Sequence, residues 1–185
     1  MLIAPYNSEY VANFNKIKQQ LKDSLVGLCV AIEHVGSPAI PDLAAKPIID
    51  IDIIYNETSD FEHIKKSLET IGYYYNGDQG IRGRDVFKRT VGHYNIILDN
   101  VAHHLYVCKY DCNELHRHLL FRDYLRKNED ARMYYQQLKY EIAAEANQDR
   151  KVYANLKELK SNSFINYVIT LSKSVHQGFD KVKCQ

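Results

Sequence analysis

Two aspartates, Asp50 and Asp52, stand two positions apart in the run PIIDIDIIY, and a Gly36-Ser37 pair precedes them by about a dozen residues. Side chains alternate across a β-strand, so both carboxylates emerge on one face while Ile49, Ile51 and Ile53 emerge on the other. A strand so rich in isoleucine belongs in a sheet core, where unpaired charge is expensive, so a cation is expected between the two acids. Mg²⁺ fits, because it takes oxygen ligands at about 2.0–2.1 Å and completes its shell with substrate phosphates and water; Mn²⁺ would serve similarly. The Gly36-Ser37 turn supplies the other half. Leaving a strand and opening a short helix, it would offer backbone N–H groups and a hydroxyl to a phosphate, helped by the helix dipole. The other reading of the same spacing is an edge strand whose acidic face meets water.

Basic side chains that could meet a polyanion are Lys46, Arg82 and Arg84. On a strand Arg82, Arg84 and Lys88 point one way and could line a phosphate path; equally, they could be charges that protect a solvated edge. The segment Asn76 to Gly83, NGDQGIRG, has turn chemistry without periodicity and is a candidate binding loop. His104 and Tyr106 share one face of a later strand, and His104 is a further candidate metal ligand beside Asp50 and Asp52. A lone histidine on a half-buried strand is more often a hydrogen-bonded structural residue, and histidine suits Mn²⁺ or Zn²⁺ better than Mg²⁺. A site built from His34, His103, His104, His116 and His118 is the weaker alternative, because positions 116 and 118 of a helix point about 200° apart.

The elements that must position these groups follow from the pattern. Asn7 or Ser8 caps a helix carrying Tyr10, Phe14, Ile17 and Leu21 at helical spacing. Leu25 to Val35 reads as the first strand, Gly36 to Lys46 as loop and short helix, and the aspartate strand begins after Pro47. Ser59 or Asp60 caps an amphipathic helix through Ile64 and Leu68. Tyr73 to Tyr75 suits a strand. His93 to Leu98 and Ala102 to Lys109 read as a hairpin joined by Asp99-Asn100-Val101. Beyond Asp111 the chain is almost all helix, with Asn113 to Arg126, a run opened by Asp130, and Lys151 to Ser174 as candidates. A helical C-terminal part packing on an α/β N-terminal part is expected.

Composition bounds the function. The chain has 185 residues, 45% of them apolar, which suffices for a real core in one domain. A formal net charge of +1 gives no electrostatic case for non-specific nucleic-acid binding or a polybasic membrane anchor. The four cysteines, Cys29, Cys108, Cys112 and Cys184, form no zinc pattern and are expected as buried, reduced thiols. With no leader-like start and no run of eighteen apolar residues, a soluble cytoplasmic protein is expected.

The stretch EHVGSPAIPDLAAKPIIDIDI resembles the signature of the GrpB family, and RHLLFRDYLRKNEDARMYYQQLKYEIA resembles its second block, after HHLYVCK, which is similar to its HLHV strand. PYNSEYVANF and the Tyr153 to Phe164 helix also fit, so the similarity covers nearly the whole chain. The resemblance implies a nucleotidyltransferase-like α/β (α+β) fold: a mixed sheet flanked by helices, with a C-terminal helical segment. One domain over 1–185 follows, with a core at 1–110, a helical part at 111–177 and a tail at 178–185.

Carried over onto matching positions, Gly36 and Ser37 take the phosphate turn, and Asp50 and Asp52 the metal-binding acid pair. Active members of the superfamily generally add a third carboxylate from a neighbouring strand, and the His103 to Val107 strand has none. Tyr106 stands where the family often has a second histidine, Pro38 replaces its usual Thr, and Asp42 replaces its Gly before Leu-Ala-Ala-Lys. Arg122, Asp123 and Arg126 match the F-R-D-Y-L-R block, with Arg122 and Arg126 expected to pair with acids and hold helix to sheet. The expected function is Mg²⁺-dependent transfer of a nucleotidyl group from a nucleoside triphosphate to an unknown acceptor. The alternative is a non-catalytic module binding a nucleotide or phosphate ligand on the same fold.

Overall fold

The computed structural model describes residues 1–58, 60–175 and 181–183; Ser59, Cys184 and part of the expected tail lie outside the described residues. The elements, in order, are α1 (Glu9–Ser24), β1 (Val30–Val35), one 3₁₀ turn (Ser37–Ala39), β2 (Ile49–Tyr55), α2 (Asp60–Thr70), β3 (Tyr73–Tyr75), β4 (Arg84–Arg89), α3 (Ile96–Asn100), β5 (His103–Lys109), α4 (Asn113–Lys127), α5 (Glu129–Glu145) and α6 (Arg150–Val175). The five strands form one mixed sheet in the order β1-β2-β5-β4-β3. Only β2 and β5 run parallel; β1 pairs β2, and β4 pairs β5 and β3, antiparallel.

Alternation along the strands sorts the two faces. Ile32, Ile49, Ile51, Ile53, Leu105 and Val107 pack against Phe14, Ile17 and Leu21 of α1, Ile64 and Leu68 of α2 and Leu98 of α3. The opposite face buries Val35, Ile54 and Cys108 against Leu115 and Leu119 of α4. The loop between β1 and β2 is held by the helices rather than the sheet: Ile40 and Leu43 pack with Leu125 and Tyr135, while Ala44 joins Leu2, Ile3, Ile142 and Tyr153. The N-terminal lead-in is therefore part of the core, bridged to the loop through Ala4 and Ala45.

Four expectations are corrected. The first strand starts at Val30, because helix α1 continues to Ser24 with Leu25 as its C-cap. His93 to Leu98 is not a strand: the Asn95 side chain accepts from the amides of Ile97 and Leu98, which starts α3 and leaves β5 to pair with β2 and β4 instead of a hairpin partner. The short helix after Gly36 is a single 3₁₀ turn. Cys29 is disulfide-bonded, so reduced thiols are found only at Cys108 and Cys112 among the described residues. Part of the tail is tied down as well, since Asn56 exchanges two hydrogen bonds of 2.8 Å with the backbone of Val182. No helix among the described residues is long and apolar enough to cross a membrane.

Candidate functional site

Asp50 and Asp52 lie on the α4 face of the sheet, as alternation requires. In register they stand beside His104 and Tyr106 of β5, and beside Val35 and Glu33 of β1. Their environments differ. Asp50 opens on a cavity of about 470 Å³ enclosed between this face, the Gly36-Ser37 turn and helices α4 to α6. Asp52 is fully buried behind it, at 0% exposure.

Each aspartate is held by a histidine. His104 Nδ1 lies 2.9 Å from Asp50 Oδ1, and His118 Nδ1, projecting from α4, lies 2.8 Å from Asp52 Oδ2. His118 also reaches Glu114 one turn earlier, at 3.5 Å. Burial works against charging His118, but hydrogen bonds to Asp52 and Glu114 outweigh it and hold the imidazole protonated up to a pKa of about 10. The same imidazolium keeps Glu114 below the usual carboxylate range. Tyr106 fills the space between the two histidines, its ring 6.3 Å from His104 and 6.1 Å from His118.

The Gly36-Ser37 turn touches this acid pair. Gly36 has φ +73°, and a Cβ built there would fall 2.3 Å from Asp50 Oδ2. Only glycine allows the chain to turn this close to the carboxylate. The amide supply is smaller than the sequence suggests. Pro38 has no N–H, and the amides of Ala39 and Ile40 donate to the carbonyls of Gly36 and Ser37. What replaces them is Lys139 of α5, fully buried, whose Nζ donates to Ser37 Oγ at 3.2 Å and to the Ala44 carbonyl. Burial, reinforced by the charge of Lys157, pulls Lys139 down to a pKa of about 6. Lys46, lying over the Tyr153 ring at 4.3 Å, is likewise depressed by burial and by the charges of Lys157 and Arg150.

The sequence-derived candidates therefore separate. Gly36, Ser37, Lys46, Asp50 and His104 line the cavity; Asp52 sits beneath it; Arg82 and Arg84 do not line it. Arg84 instead stacks on Tyr106 at 4.8 Å, and the Arg82 carbonyl lies 3.7 Å from Cys112 Sγ. Arg122 holds helix to sheet as expected, whereas Arg126 ties α4 to the 3₁₀ turn rather than to the sheet. Arg122 pairs Glu33 at 2.6 Å and Asp123 at 2.7 Å, and Arg126 donates twice to the Ala39 carbonyl. Glu33 is thus an acid directly beside Asp52, but one already neutralised. The histidines are divided between faces: His34 stacks on Phe14 at 4.6 Å and His103 bonds Tyr73 at 2.6 Å, both away from the acid pair.

Sequence reading missed Lys139, Lys157, Glu114 and Arg117, which also line the cavity. The signal available for Lys139 was its place within the apolar stripe Tyr135, Leu138, Ile142, where a lysine has to be buried.

Comparison with known proteins decides the relationship. A family model described as GrpB protein matches residues 1–168. The chain belongs to the GrpB family. It is 28% identical over 167 residues to the Glutamate-rich protein GrpB of Alkalihalophilus pseudofirmus, covering 90% of this chain and 94% of that one. It is 33% identical over 140 residues to the UPF0157 protein YqkA of Bacillus subtilis, which covers 76% of this chain but only 39% of that longer relative. Among solved structures, the conserved protein GrpB from Enterococcus faecalis superposes with a TM-score of 0.75 at 30% identity, covering 94% and 98% of the two chains. A MgGTP-bound structure of the Cid1 poly(U) polymerase superposes with a TM-score of 0.54 at 15% identity, over 78% of this chain and 45% of that one. This GrpB chain therefore has a nucleotidyltransferase-like fold.

The donor set bears on the metal question. Asp52 Oδ1 is buried with no hydrogen-bond donor in reach, an acceptor left over on the side of the pair that His118 does not serve. Among the described residues no three or more His, Cys, Asp or Glu side chains are grouped to hold an ion. Two carboxylates on one face fit a hard divalent cation of the kind that draws its remaining ligands from phosphate and water. His104, with Nδ1 engaged by Asp50, positions that carboxylate.

Proposed function

We propose that this GrpB protein binds a nucleoside triphosphate together with Mg²⁺ in the cavity and transfers its nucleotidyl group to an acceptor. The observation that carries the reading is the closeness of the Gly36-Ser37 turn to Asp50 in a cavity that Lys46, Lys139 and Lys157 also line. Like charges gathered in a cavity repel one another and favour a polyanionic ligand. The fold is shared with Cid1, a poly(U) polymerase captured with MgGTP, which supports the reading by likeness of fold.

Asp50 and Asp52 would hold the metal ion, which when bound neutralises phosphate charge and stabilises a leaving oxygen. The remaining work falls to side chains of this chain. Ser37 and Lys139 would grip the terminal phosphates, and Lys46 and Lys157 would neutralise the rest. His104 fixes the direction in which the Asp50 carboxylate faces. His118 holds a proton against Asp52 Oδ2, so only Oδ1 would serve the ion, and the imidazolium charge beside it opposes a second cation there.

The last point favours a second reading, a binding module without transfer. Asp52 already has a cationic partner, and β5 contributes no acid.

Titration calorimetry with ATP, GTP, CTP and UTP, with and without Mg²⁺ or Mn²⁺, combined with pyrophosphate release across a panel of acceptors, tests both. Metal-dependent release that is lost in Asp50→Asn supports transfer. Metal-dependent binding without release supports the module. Unaltered nucleotide binding by Asp50→Asn removes the site from both.

A further inference from the structure

We propose that Ser37 and Lys139 act as a nucleophile and its base, a site at which the Ser37 hydroxyl takes an acyl group from a carboxylic ester and passes it to water. The inference is independent of the nucleotide reading, because it needs only these two side chains and the cavity wall beside them. Ser37 stands at the sharp exit from β1, directly after Gly36 at φ +73° and before Pro38. A tight turn at the end of a strand is a known mount for a nucleophilic serine, since it fixes the side chain while keeping the hydroxyl open to the site. Here that side chain is half-buried and lines the cavity of about 470 Å³.

Lys139 is the base. Its Nζ lies 3.2 Å from Ser37 Oγ and donates to the Ala44 carbonyl, in surroundings that leave the residue 1% exposed. Among the described residues no carboxylate pairs with it; its other neighbours are the Tyr135 ring, centred 5.0 Å from Nζ, and the like charge of Lys157. A buried amine without a counter-ion gives up its proton rather than carry an uncompensated charge. A neutral amine keeps a lone pair. With one N–H on the Ala44 carbonyl, that lone pair receives the Ser37 proton along the same 3.2 Å line once the hydroxyl rotates toward it. Serine served by lysine is one of the arrangements that activates a hydroxyl for acyl transfer.

The neighbouring wall indicates the substrate class. Pro38, Ile40 and Tyr135 line the cavity and suit an apolar acyl chain, and Ile40 and Tyr135 pack in one cluster. Lys46 and Lys157 line the same cavity and supply positive charge for an oxyanion. The steps balance. Ser37 Oγ attacks the ester carbonyl carbon as its proton passes to Lys139 Nζ; the bond from that carbon to the leaving alcohol then breaks, and the alcohol takes the proton from Nζ. Water attacks the acyl-serine and gives a proton to Nζ; the bond from Oγ to the acyl carbon breaks, and Oγ recovers the proton. Ester and water become acid and alcohol, with no change of oxidation state.

The test uses the full chain with p-nitrophenyl butyrate and with phenylmethylsulfonyl fluoride, in the absence of nucleotide and metal, so that its outcome does not depend on the nucleotide reading. Release of p-nitrophenol should exceed that of Ser37→Ala by about a hundredfold or more. Peptide mass spectrometry should place a single sulfonyl group on Ser37, and both activities should be lost in Lys139→Met. From about pH 5 to pH 9 the rate of Ser37 labelling in the parent should rise and then level off, because Lys139, brought down by burial and Lys157 to about 6, is neutral over the upper part of that range. This profile stands as the test of the base even where Lys139→Met fails to fold, since a serine without a base reacts in proportion to hydroxide and shows no plateau. Absence of the Ser37 adduct overturns the proposal, as does a rate that climbs throughout the range or an adduct kept by folded Lys139→Met.

Discussion

Gly36 faces the Asp50 side chain across the β1–β2 connection so closely that a single added carbon at position 36 would sit 2.3 Å from Asp50 Oδ2. The turn and the carboxylate are therefore one unit: neither can shift without the other. Everything proposed for the cavity depends on this closeness, because it brings Ser37 and Lys139 to the same wall as the acid pair.

The first prediction follows from that closeness. Gly36→Ala meets both the left-handed backbone and the Asp50 side chain, so it should cost about 2–3 kcal/mol in stability and abolish metal-dependent nucleotide binding. Gly77→Ala is the control. It has a similar φ of +74° with nothing within 4 Å, so it should cost about 1 kcal/mol and leave binding intact. Denaturant unfolding and calorimetry of the two variants check it; equal losses of stability would show that Asp50 gives way freely.

Asp52 and His118 form a buried ion pair; removing His118 leaves Asp52 buried and unpaired, and removing Asp52 leaves His118 only the longer contact with Glu114. Asp52→Asn and His118→Asn should each lose about 3–5 kcal/mol. The double variant should lose less than the sum, with a coupling of about 1–3 kcal/mol. Urea unfolding of the four proteins measures the cycle. Additive losses would mean that the 2.8 Å contact carries no energy of its own.

Lys139 supplies a pH dependence whose sign is fixed. Its folded pKa of about 6 lies below the unfolded value of 10.5, so between these limits the unfolded chain binds more protons and this residue makes stability rise with pH. Lys139→Met removes the contribution, so the stability of the parent relative to the variant should increase by up to about 1.4 kcal/mol per pH unit from pH 6 to pH 10. A polyanion reverses the preference by favouring the charged amine. Triphosphate binding at pH 8 should thus be accompanied by uptake of a proton, seen as a buffer-dependent enthalpy that disappears in Lys139→Met.

Much of this architecture was legible because it rests on local pattern. The alternation of Ile49, Ile51 and Ile53 with Asp50 and Asp52 places the acids on one face, and the Gly36-Ser37 turn meets them as the family signature implies. The failures have a common physical origin. Asn95 starts a helix through a side-chain cap that competes with the strand pattern of its neighbours, and nothing in His93 to Leu98 alone says which wins. The three lysines come from residues 46, 139 and 157, brought together only by packing of α5 and α6 on the β1–β2 loop. Arg84 looked equally suited to a phosphate, but the register of β4 against β5 sets it on Tyr106 instead.

Asp42 provides a last prediction that joins sequence to backbone. It stands where the family resemblance expects glycine, and its φ is +63°, in the left-handed region that costs a side chain about 1 kcal/mol. The residue is exposed, so no packing offsets the strain. Asp tolerates this conformation better than most residues, which explains how it replaces glycine here. Asp42→Gly should relieve the strain against a smaller loss from the freer unfolded chain, raising stability by a few tenths to about 1 kcal/mol. Asp42→Val, β-branched and intolerant of positive φ, should lower it by about 1–2 kcal/mol. Thermal unfolding of the two variants against the parent gives the order Gly above Asp above Val; a stabilised Val variant would mean that the loop leaves the left-handed conformation without cost.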